Sequence, residues 1–158
     1  MPQLPSLLSD LSARLGVAPL DLDDGTQLTL LFDEITRITI DYDPEDKAVI
    51  FSGVVGDSDL CRGVDAYRWL LSSSVLGAAT GGAAFGLNAD TGEIVLWKRY
   101  SDSFEDAADI EKELGSFLGT LEYLLRILPQ TLPGTNGDTD LQSGRDVVAG
   151  GWESGIRV

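Results

Sequence analysis

Leucine residues recur along the first part of the chain with the spacing of an amphipathic helix. They stand at positions i, i+3, i+4, i+7 and i+11, on one face of a 3.6-residue repeat: Leu4, Leu7, Leu8, Leu11 and Leu15. Gly16 then gives a stop signal, and Pro19 prevents the helix from continuing. The pattern predicts a helix over residues 4–16.

Between residues 27 and 55 the apolar positions change to a period of two. Every second residue is apolar in 27–33 and again in 37–42, and the stretch 48–55 is apolar almost throughout. The acidic, proline-containing segment 41–46 is typical of a turn. Three short strands with tight connections predict an antiparallel meander that is covered on one face.

A second helix is predicted from a cap at Asp59 to about Leu76. Four apolar residues share one of its faces: Leu60, Val64, Tyr67 and Leu71. Trp69 and Leu70 lie beside this face.

A hairpin follows the second helix. Residues 83–88 pair with 93–100 across the turn 89–92, which has the favoured Asp and Gly. The second of these strands is apolar on both faces in its middle. It should lie in the interior of the sheet or meet a partner.

Ser103 begins the last predicted helix, with Asp106 at the capping-box distance, and Pro129 ends it. Its apolar stripe is Ile110, Leu114, Phe117, Leu118, Leu121, Leu124, Leu125 and Leu128. The element order α-βββ-α-ββ-α predicts an α+β fold, an antiparallel sheet flanked by three helices. We expect one domain over residues 1–128 and a flexible Gly-rich tail over 129–158.

The composition excludes several kinds of catalytic, metal-binding and anion-binding site. The 158 residues include no histidine, which excludes a Ser-His-Asp triad and a His-ligated metal, and one cysteine, Cys61, which excludes an intrachain disulfide. With 26 acidic and 11 basic residues the net charge is −15, which repels nucleic acids and anionic membranes. No apolar run approaches the ~20 residues of a membrane span, and a secretory signal is not expected, so we predict a cytoplasmic protein without a cofactor.

Three further segments could carry chemistry, but each has a simpler interpretation. The carboxylates of Asp21, Asp23 and Asp24 lack the bidentate Glu of a calcium loop, which favours a solvated turn. The acidic turn 41–46 lacks apolar neighbours that would raise a carboxylate pKa for acid–base catalysis. The Gly-rich stretch 77–86 has neither P-loop nor dinucleotide-binding spacing.

Apolar residues exceed what one small domain covers. Five aromatic residues cluster around the second helix and the hairpin: Tyr67, Trp69, Phe85, Trp97 and Tyr100. Core packing explains any one of them, yet the leucine-rich first helix and the two-sided strand add further apolar surface. Such a surface on a highly charged protein indicates interaction sites.

The order of elements and several segments resemble the class I type III secretion chaperones, the CesT/Tir-chaperone family, over residues 4–128. The matching segments are Leu11-Ser-Ala-Arg14-Leu15-Gly16, the strand pair 28–42, the helix end Leu-Leu-Ser-Ser-Ser-Val-Leu-Gly at 70–77, the hairpin AAFGLNADTGEIVLWKRY and the long final helix. The family usually has Leu-Leu-x-x-Asn at the end of the second helix, and here Ser74 replaces the Asn. The Gly-rich tail is longer than the family typically has.

The resemblance implies a non-catalytic, homodimeric cytoplasmic chaperone. Such a protein binds the N-terminal segment of an effector protein and keeps it competent for secretion. The segment orders on binding, adds strands to sheet edges and places apolar anchors in grooves. The acidic charge would keep such a surface soluble and attract basic effector segments.

The resemblance also implies two sets of contact residues. The effector-binding set is Leu7, Leu8, Leu11, Leu30, Phe32, Ile38 and Ile40. The dimer-interface set, on the second helix and hairpin, is Tyr67, Trp69, Leu70, Phe85 and Trp97. We expect Leu8→Asp or Phe32→Asp to abolish partner binding if the first set forms an open groove.

Two other functions stay open at this point. A regulatory or adaptor domain of the same fold would bind proteins without a role in secretion. A carboxylate-dependent metal enzyme would use one of the acidic turns, and calorimetry with calcium, magnesium or zinc would detect it.

Overall fold

Strands and helices follow one another in the order that the apolar periodicities predict. The computed structural model describes residues 4–16, 26–61, 63–101 and 103–132. The elements are α1 (Leu4–Leu15), β1 (Gln27–Phe32), β2 (Thr36–Asp43), β3 (Ala48–Asp57), α2 (Val64–Ser73), β4 (Ala84–Leu87), β5 (Glu93–Ser101) and α3 (Ala107–Thr131). The predicted α+β fold with its antiparallel sheet and three flanking helices is confirmed.

The five strands form one antiparallel sheet in the order β1-β2-β3-β5-β4. Strand β5 therefore lies between two neighbours, which confirms the interior position that its apolar middle predicts. The register aligns Leu30, Ile38, Gly53 and Leu96 across four strands on the same face. This face is the apolar one, because successive side chains of a strand point to opposite faces.

Helices α1 and α3 cover the apolar face. Helix α3 packs on β3, and α1 packs on α3. At Gly53 the sheet has no side chain, and a Cβ there would lie 2.6 Å from a methyl carbon of Leu121 on α3. The ring of Phe51 packs edge-on against Phe117 of α3, with centroids 5.9 Å apart. These contacts hold the longest helix directly over the centre of the sheet.

The ends of α2 differ from the prediction. The helix begins at Val64, after Gly63 with φ 90°, and has no side-chain cap. The expected cap residue, Asp59, lies in a turn where the Asp57 carboxylate accepts the Asp59 N–H at 3.0 Å. The helix ends at Ser73, and one 3₁₀ turn, Val75–Gly77, follows it. The apolar periodicity thus continues beyond the helix at both ends.

The ends of α3 also need correction. Its cap is Asp106 rather than Ser103, since the Asp106 carboxylate accepts the N–H groups of Ala108 and Asp109 at 2.8 and 3.0 Å. Pro129 does not end the helix, which continues to Thr131. Leu132, just beyond the helix, is buried, and the free energy gained by burying its side chain favours this extra turn despite the cost of a proline inside the helix. Residues 133–158, most of the predicted tail, lie outside the described residues.

Among the helices described, none is long and apolar enough to cross a membrane.

Candidate functional site

The effector-binding residues predicted on α1, β1 and β2 lie inside the core of the chain. Six of the seven side chains are at most 5% exposed: Leu7, Leu8, Leu11, Leu30, Ile38 and Ile40. The physical reason is that α1 and α3 close over this part of the sheet, so the leucine stripe of α1 faces inward. The prediction of an open groove at these six residues is therefore wrong, and Phe32 alone keeps a partly exposed side chain.

The end of β1 carries apolar side chains that sequence reasoning did not select. Leu31 is exposed beside Phe32, and Ile35 in the following turn is 84% exposed. The turn between them has positive φ at both central residues, Asp33 (49°) and Glu34 (60°), as a type I′ turn requires. Neither carboxylate forms an ion pair within the described part of the chain. This corner of the sheet is both apolar and negatively charged.

Strand β1 also presents its backbone. Within the described residues, β2 is its single neighbour in the sheet. The N–H of Tyr42 donates to the carbonyl of Thr26 at 2.7 Å, which marks that pair as a hydrogen-bonded one. Because hydrogen-bonded and non-hydrogen-bonded pairs alternate in an antiparallel ladder, the N–H and C=O groups of Thr29 and Leu31 point away from β2. They form a free edge that another extended chain can join.

The outer side of α2 is a second apolar surface. We use the name open face for the exposed apolar residues of α2, of the turn that follows it and of the adjoining edge strand: Val64, Leu71, Val75, Leu76 and Leu87. Four come from α2 and the turn after it, and Leu87 comes from the adjoining edge strand β4. Helix α2 contacts the sheet mainly through β4. A ten-residue helix that packs on one short strand leaves its other side uncovered.

Neighbouring residues on α2 have opposite surroundings. Leu70 is 4% exposed, whereas Leu71 is 68% exposed. The apolar side that carries Val64 and Leu71, which the helical period places on one face, points outward. Residues beside it turn inward, and the ring of Trp69 lies 6.4 Å from that of Phe85 on β4. The helical period is present in the sequence, but two apolar faces share α2, and the period alone does not select between them.

The residues predicted for a dimer interface divide into three groups. Tyr67, Trp69 and Phe85 lie partly exposed at the junction of α2 and β4. Leu70 belongs to the chain's own core, so its expected exposure is wrong. Trp97 is exposed, but on the opposite face of the sheet from its buried neighbour Leu96.

Ser74 joins α2 to β4. Its hydroxyl donates to the carbonyl of Leu70 at 3.0 Å and accepts the N–H of Phe85 at 2.9 Å. A small apolar cavity of about 100 Å³ lies at the same junction, lined by Tyr67, Leu70, Leu71, Phe85, Gly86, Leu87 and Ile94. Ser74, the position at which the sequence departs from the family pattern, thus connects α2 to β4 beside the open face.

The open face is close to electrically neutral. Its only charged neighbours on α2 are Asp65 and Arg68, which pair at 3.0 Å with both side chains exposed. From Trp69 to Ala89 no residue is charged, although the chain has a net charge of −15. Charge repulsion between two copies is therefore weakest at this surface.

The single cysteine and the acidic turn take structural positions. Cys61 is buried, and burial, followed by the negative charge of Asp57, raises the pKa of its thiol. In the acidic turn, the Asp43 carboxylate accepts the N–H groups of Glu45 and Asp46, and Asp46 pairs with Arg99 at 2.9 Å. No group of three or more potential metal ligands lies together in the described ranges. The triad of acidic residues at 21–24 falls outside them.

Comparison with known proteins matches both the sequence and the fold. The sequence profile of the Tir chaperone protein (CesT) family matches residues 6–125. No curated protein sequence is significantly similar to the chain. Among solved structures, the ExsC-ExsE complex contains a chain with 25% identity and a TM-score of 0.68, and the match covers 81% of this chain and 95% of that one.

Two further structures share the fold at lower identity. The HopA1-SchA chaperone-effector complex matches with 17% identity and a TM-score of 0.64, over 78% of this chain and 93% of that one. The Yersinia pestis type III secretion chaperone SycH, in complex with a fragment of YscM2, matches with 17% identity and a TM-score of 0.57, over 77% and 99%. Each of these chains is matched over nearly its whole length.

Proposed function

Because the chain belongs to the Tir chaperone protein (CesT) family, we propose that it is a type III secretion chaperone. It binds the N-terminal segment of an effector protein and keeps that segment unfolded and ready for export. The observation that carries the proposal is the family match over residues 6–125, together with the fold shared with a chaperone-effector complex. The chain acts in the cytoplasm and catalyses no reaction.

The free edge of β1 is where we place the effector segment. An extended chain gains main-chain hydrogen bonds by adding a sixth strand there, beside the outward-pointing groups of Thr29 and Leu31. Phe32 and Ile35 offer apolar contacts at the end of the added strand. A segment that is disordered before binding can follow this edge without disturbing the closed core.

Charge selects the partner at this edge. Asp33 and Glu34 stand exposed in the turn that ends β1, and the chain carries 26 acidic against 11 basic residues. Opposite charge increases the rate of encounter, an effect that falls as salt is added. An effector segment with lysine or arginine between its apolar residues therefore fits the site.

The open face serves a different purpose in this proposal, the pairing of two copies of the chain. Its exposed apolar residues and its near neutrality support self-association rather than capture of a basic segment. A two-fold pair uses the same patch on both copies. The Asp65 and Arg68 side chains, of opposite sign on one helix, can then pair across the two-fold axis.

Capture of the effector by the tagged chain from native cell lysate tests the function. Limited proteolysis of the complex followed by mass spectrometry identifies the protected part of the partner, which should lie in its N-terminal region. Protection of a folded C-terminal domain instead would contradict the proposal.

Two variants then locate the bound segment. Thr29→Pro removes an outward N–H and should weaken binding of the mapped segment at least about tenfold. Thr29→Val keeps the N–H while losing the side-chain hydroxyl, so it should bind like the wild type. Equal affinity of both variants would contradict strand addition at β1.

A further inference from the structure

The outer face of the sheet, which is turned away from α1 and α3, carries a group of apolar side chains. Helix α3 packs on the inner face at Phe51 and Gly53, so the residues that alternate with these two on β3 point outward. The register pairs them with outward residues of β2 and β5. The apolar members are half-buried or exposed, and we call them the outer patch: Leu31, Ile50, Val54, Val95 and Trp97.

Val54 and Trp97 are the most accessible residues of the outer patch. They are 42% and 40% exposed. Beside the Trp97 ring, Gly86 of β4 contributes no side chain, and a Cβ there would lie at an ordinary contact distance of 3.5 Å from the ring. The indole therefore has open space on the side of β4, where an apolar side chain can lie against it.

A free positive charge lies beside the outer patch, although the chain as a whole has a net charge of −15. Arg37 is exposed, and the strand register places it between two residues of the patch, on β1 and β3. It forms no ion pair within the residues that the structure describes. Two other charged side chains of this face have partners, since Arg99 pairs with Asp46 and Asp41 accepts a hydrogen bond from Gln27. A segment with both apolar and acidic residues therefore fits the patch.

The chain itself continues beyond α3 with a segment of this composition. Residues 146–156 include four large apolar and two acidic side chains: Asp146, Val147, Val148, Trp152, Glu153 and Ile156. Helix α3 follows β3 in the same chain direction, because it packs first on Phe51 and one turn later on Gly53. It therefore leads the chain toward the end of the sheet at which Val54 lies on the outer face.

The linker between α3 and this segment is long enough for a contact with the outer patch. A linker of the length of residues 133–145 spans at most about 40 Å, whereas five strands at a spacing of about 4.8 Å are about 20 Å wide. The segment can therefore pass from the helix side of the sheet to any part of the outer face.

We propose that segment 146–156 of the chain's own tail binds the outer patch, with the Trp152 ring against Trp97 and an acidic side chain on Arg37. Aromatic contact and burial of the exposed apolar side chains stabilise this arrangement. A basic effector segment of the kind placed at β1 suits the patch less well, because Arg37 repels it. The tail thus covers an apolar face that would otherwise attract other chains, and it leaves the edge of β1 accessible.

Fluorine NMR of the full-length chain labelled with fluorotryptophan tests the contact. Variants with one tryptophan replaced by phenylalanine assign the signals of Trp69, Trp97 and Trp152. A dissolved gadolinium chelate relaxes the fluorine nuclei that solvent reaches. In Trp152→Ser the relaxation of the Trp97 signal should increase about twofold or more, because the tail no longer excludes solvent from the ring. The signal of Trp69, which lies beside Phe85, should not change.

A charge reversal supplies a matched pair of variants. Arg37→Glu should repel the acidic segment, so that Trp97 becomes as accessible as in Trp152→Ser and the Trp152 signal moves to the position of free fluorotryptophan. Lys112→Glu makes the same change of charge at an exposed position of α3, on the other side of the sheet. It should leave both signals unchanged.

Equal accessibility of Trp97 in the wild-type chain and in Trp152→Ser would overturn the proposal. Protection of Trp97 that is lost on dilution would assign the outer patch to a second copy of the chain. Protection that appears only when the mapped effector segment is added would assign the patch to the effector. Either of these results would also overturn binding of the tail.

Discussion

The two ends of the sheet have similar apolar sequences, but the apolar side chains are buried at the β1 end and exposed at the β4 end. We call the first the closed end and the second the open end. At the β1 end, the leucines of α1 and the alternating residues of β1 and β2 close into the core beneath α3. At the β4 end, α2 packs on one short strand and keeps Leu71 and Val75 exposed. The difference lies in the covering helices: α3, with 25 residues, packs on the central strand β3 and on α1, whereas α2, with 10 residues, borders only the short edge strand β4. Apolar content alone therefore does not locate a binding surface.

The largest expected effect tests the closed end. Leu8→Asp places a carboxylate at a fully buried position of α1 and should destabilise the chain by more than about 4 kcal/mol. Chemical denaturation followed by circular dichroism measures the change. Ser9→Asp, on the exposed side of the same helix, should change stability by less than about 0.5 kcal/mol. A Leu8→Asp chain that stays folded and loses only the binding of its partner would contradict this prediction and support an open groove at α1.

The open end should respond in the opposite way to the same kind of change. Leu71→Asp should leave the chain folded, since its side chain is exposed, and should prevent two copies from associating. The adjacent change Leu70→Asp should unfold the chain because Leu70 is buried. Light scattering and circular dichroism on the two variants separate these effects. Unfolding of both would show that α2 has no free side.

A smaller effect tests the connection that positions the open face. Ser74→Ala leaves the Phe85 N–H without its acceptor and should cost about 1–2 kcal/mol, together with weaker pairing of the copies. The measurement is chemical denaturation at fixed protein concentration. Ser72→Ala is the control, because the Ser72 hydroxyl bonds only within its own exposed turn, to Trp69 at 2.9 Å. Equal losses in the two variants would mean that Ser74 does not hold α2 against β4.

The smallest effect appears only in alkaline solution and concerns the face of the sheet on which α3 packs. Burial, followed by the negative charge of Glu113 on α3, raises the pKa of Tyr100 above its ordinary value of about 10. The folded state thus keeps this proton after the unfolded state has lost it, so stability falls as pH rises above about 10. Tyr100→Phe should reduce this fall, measured as the free energy of unfolding between pH 9 and 11. Identical slopes would show that the Tyr100 hydroxyl is not buried in the folded chain.

Sequence periodicity identified all eight helices and strands of the described residues but not the side on which each one packs. Helix α1 and the strands β1 and β2 were placed correctly along the chain, yet their apolar residues proved to be core rather than groove. The choice depends on α3, which is distant in sequence and packs closely on the sheet where Gly53 leaves room for Leu121. A tertiary contact of this kind has no local signal in the chain.

The residues with positive φ were equally difficult to predict from the sequence. Leu76 reads as one more apolar residue at the end of a helix, and only the structure reveals its left-handed backbone and full exposure. The two central residues of the β1–β2 turn, Asp33 and Glu34, also lack the Asn-Gly signal of their conformation. The sequence feature that did point to this part of the molecule was the cluster of aromatic residues around α2 and the hairpin, including Tyr67, Trp69 and Phe85.

The central claim is that the closed end supplies the core and the open end joins two copies of the chain. The most direct test is the molar mass of the wild-type chain at micromolar concentration, measured by light scattering. Two paired copies should give about 34 kDa, twice the 16.9 kDa of one chain. A mass of 16.9 kDa that does not rise with concentration would contradict it.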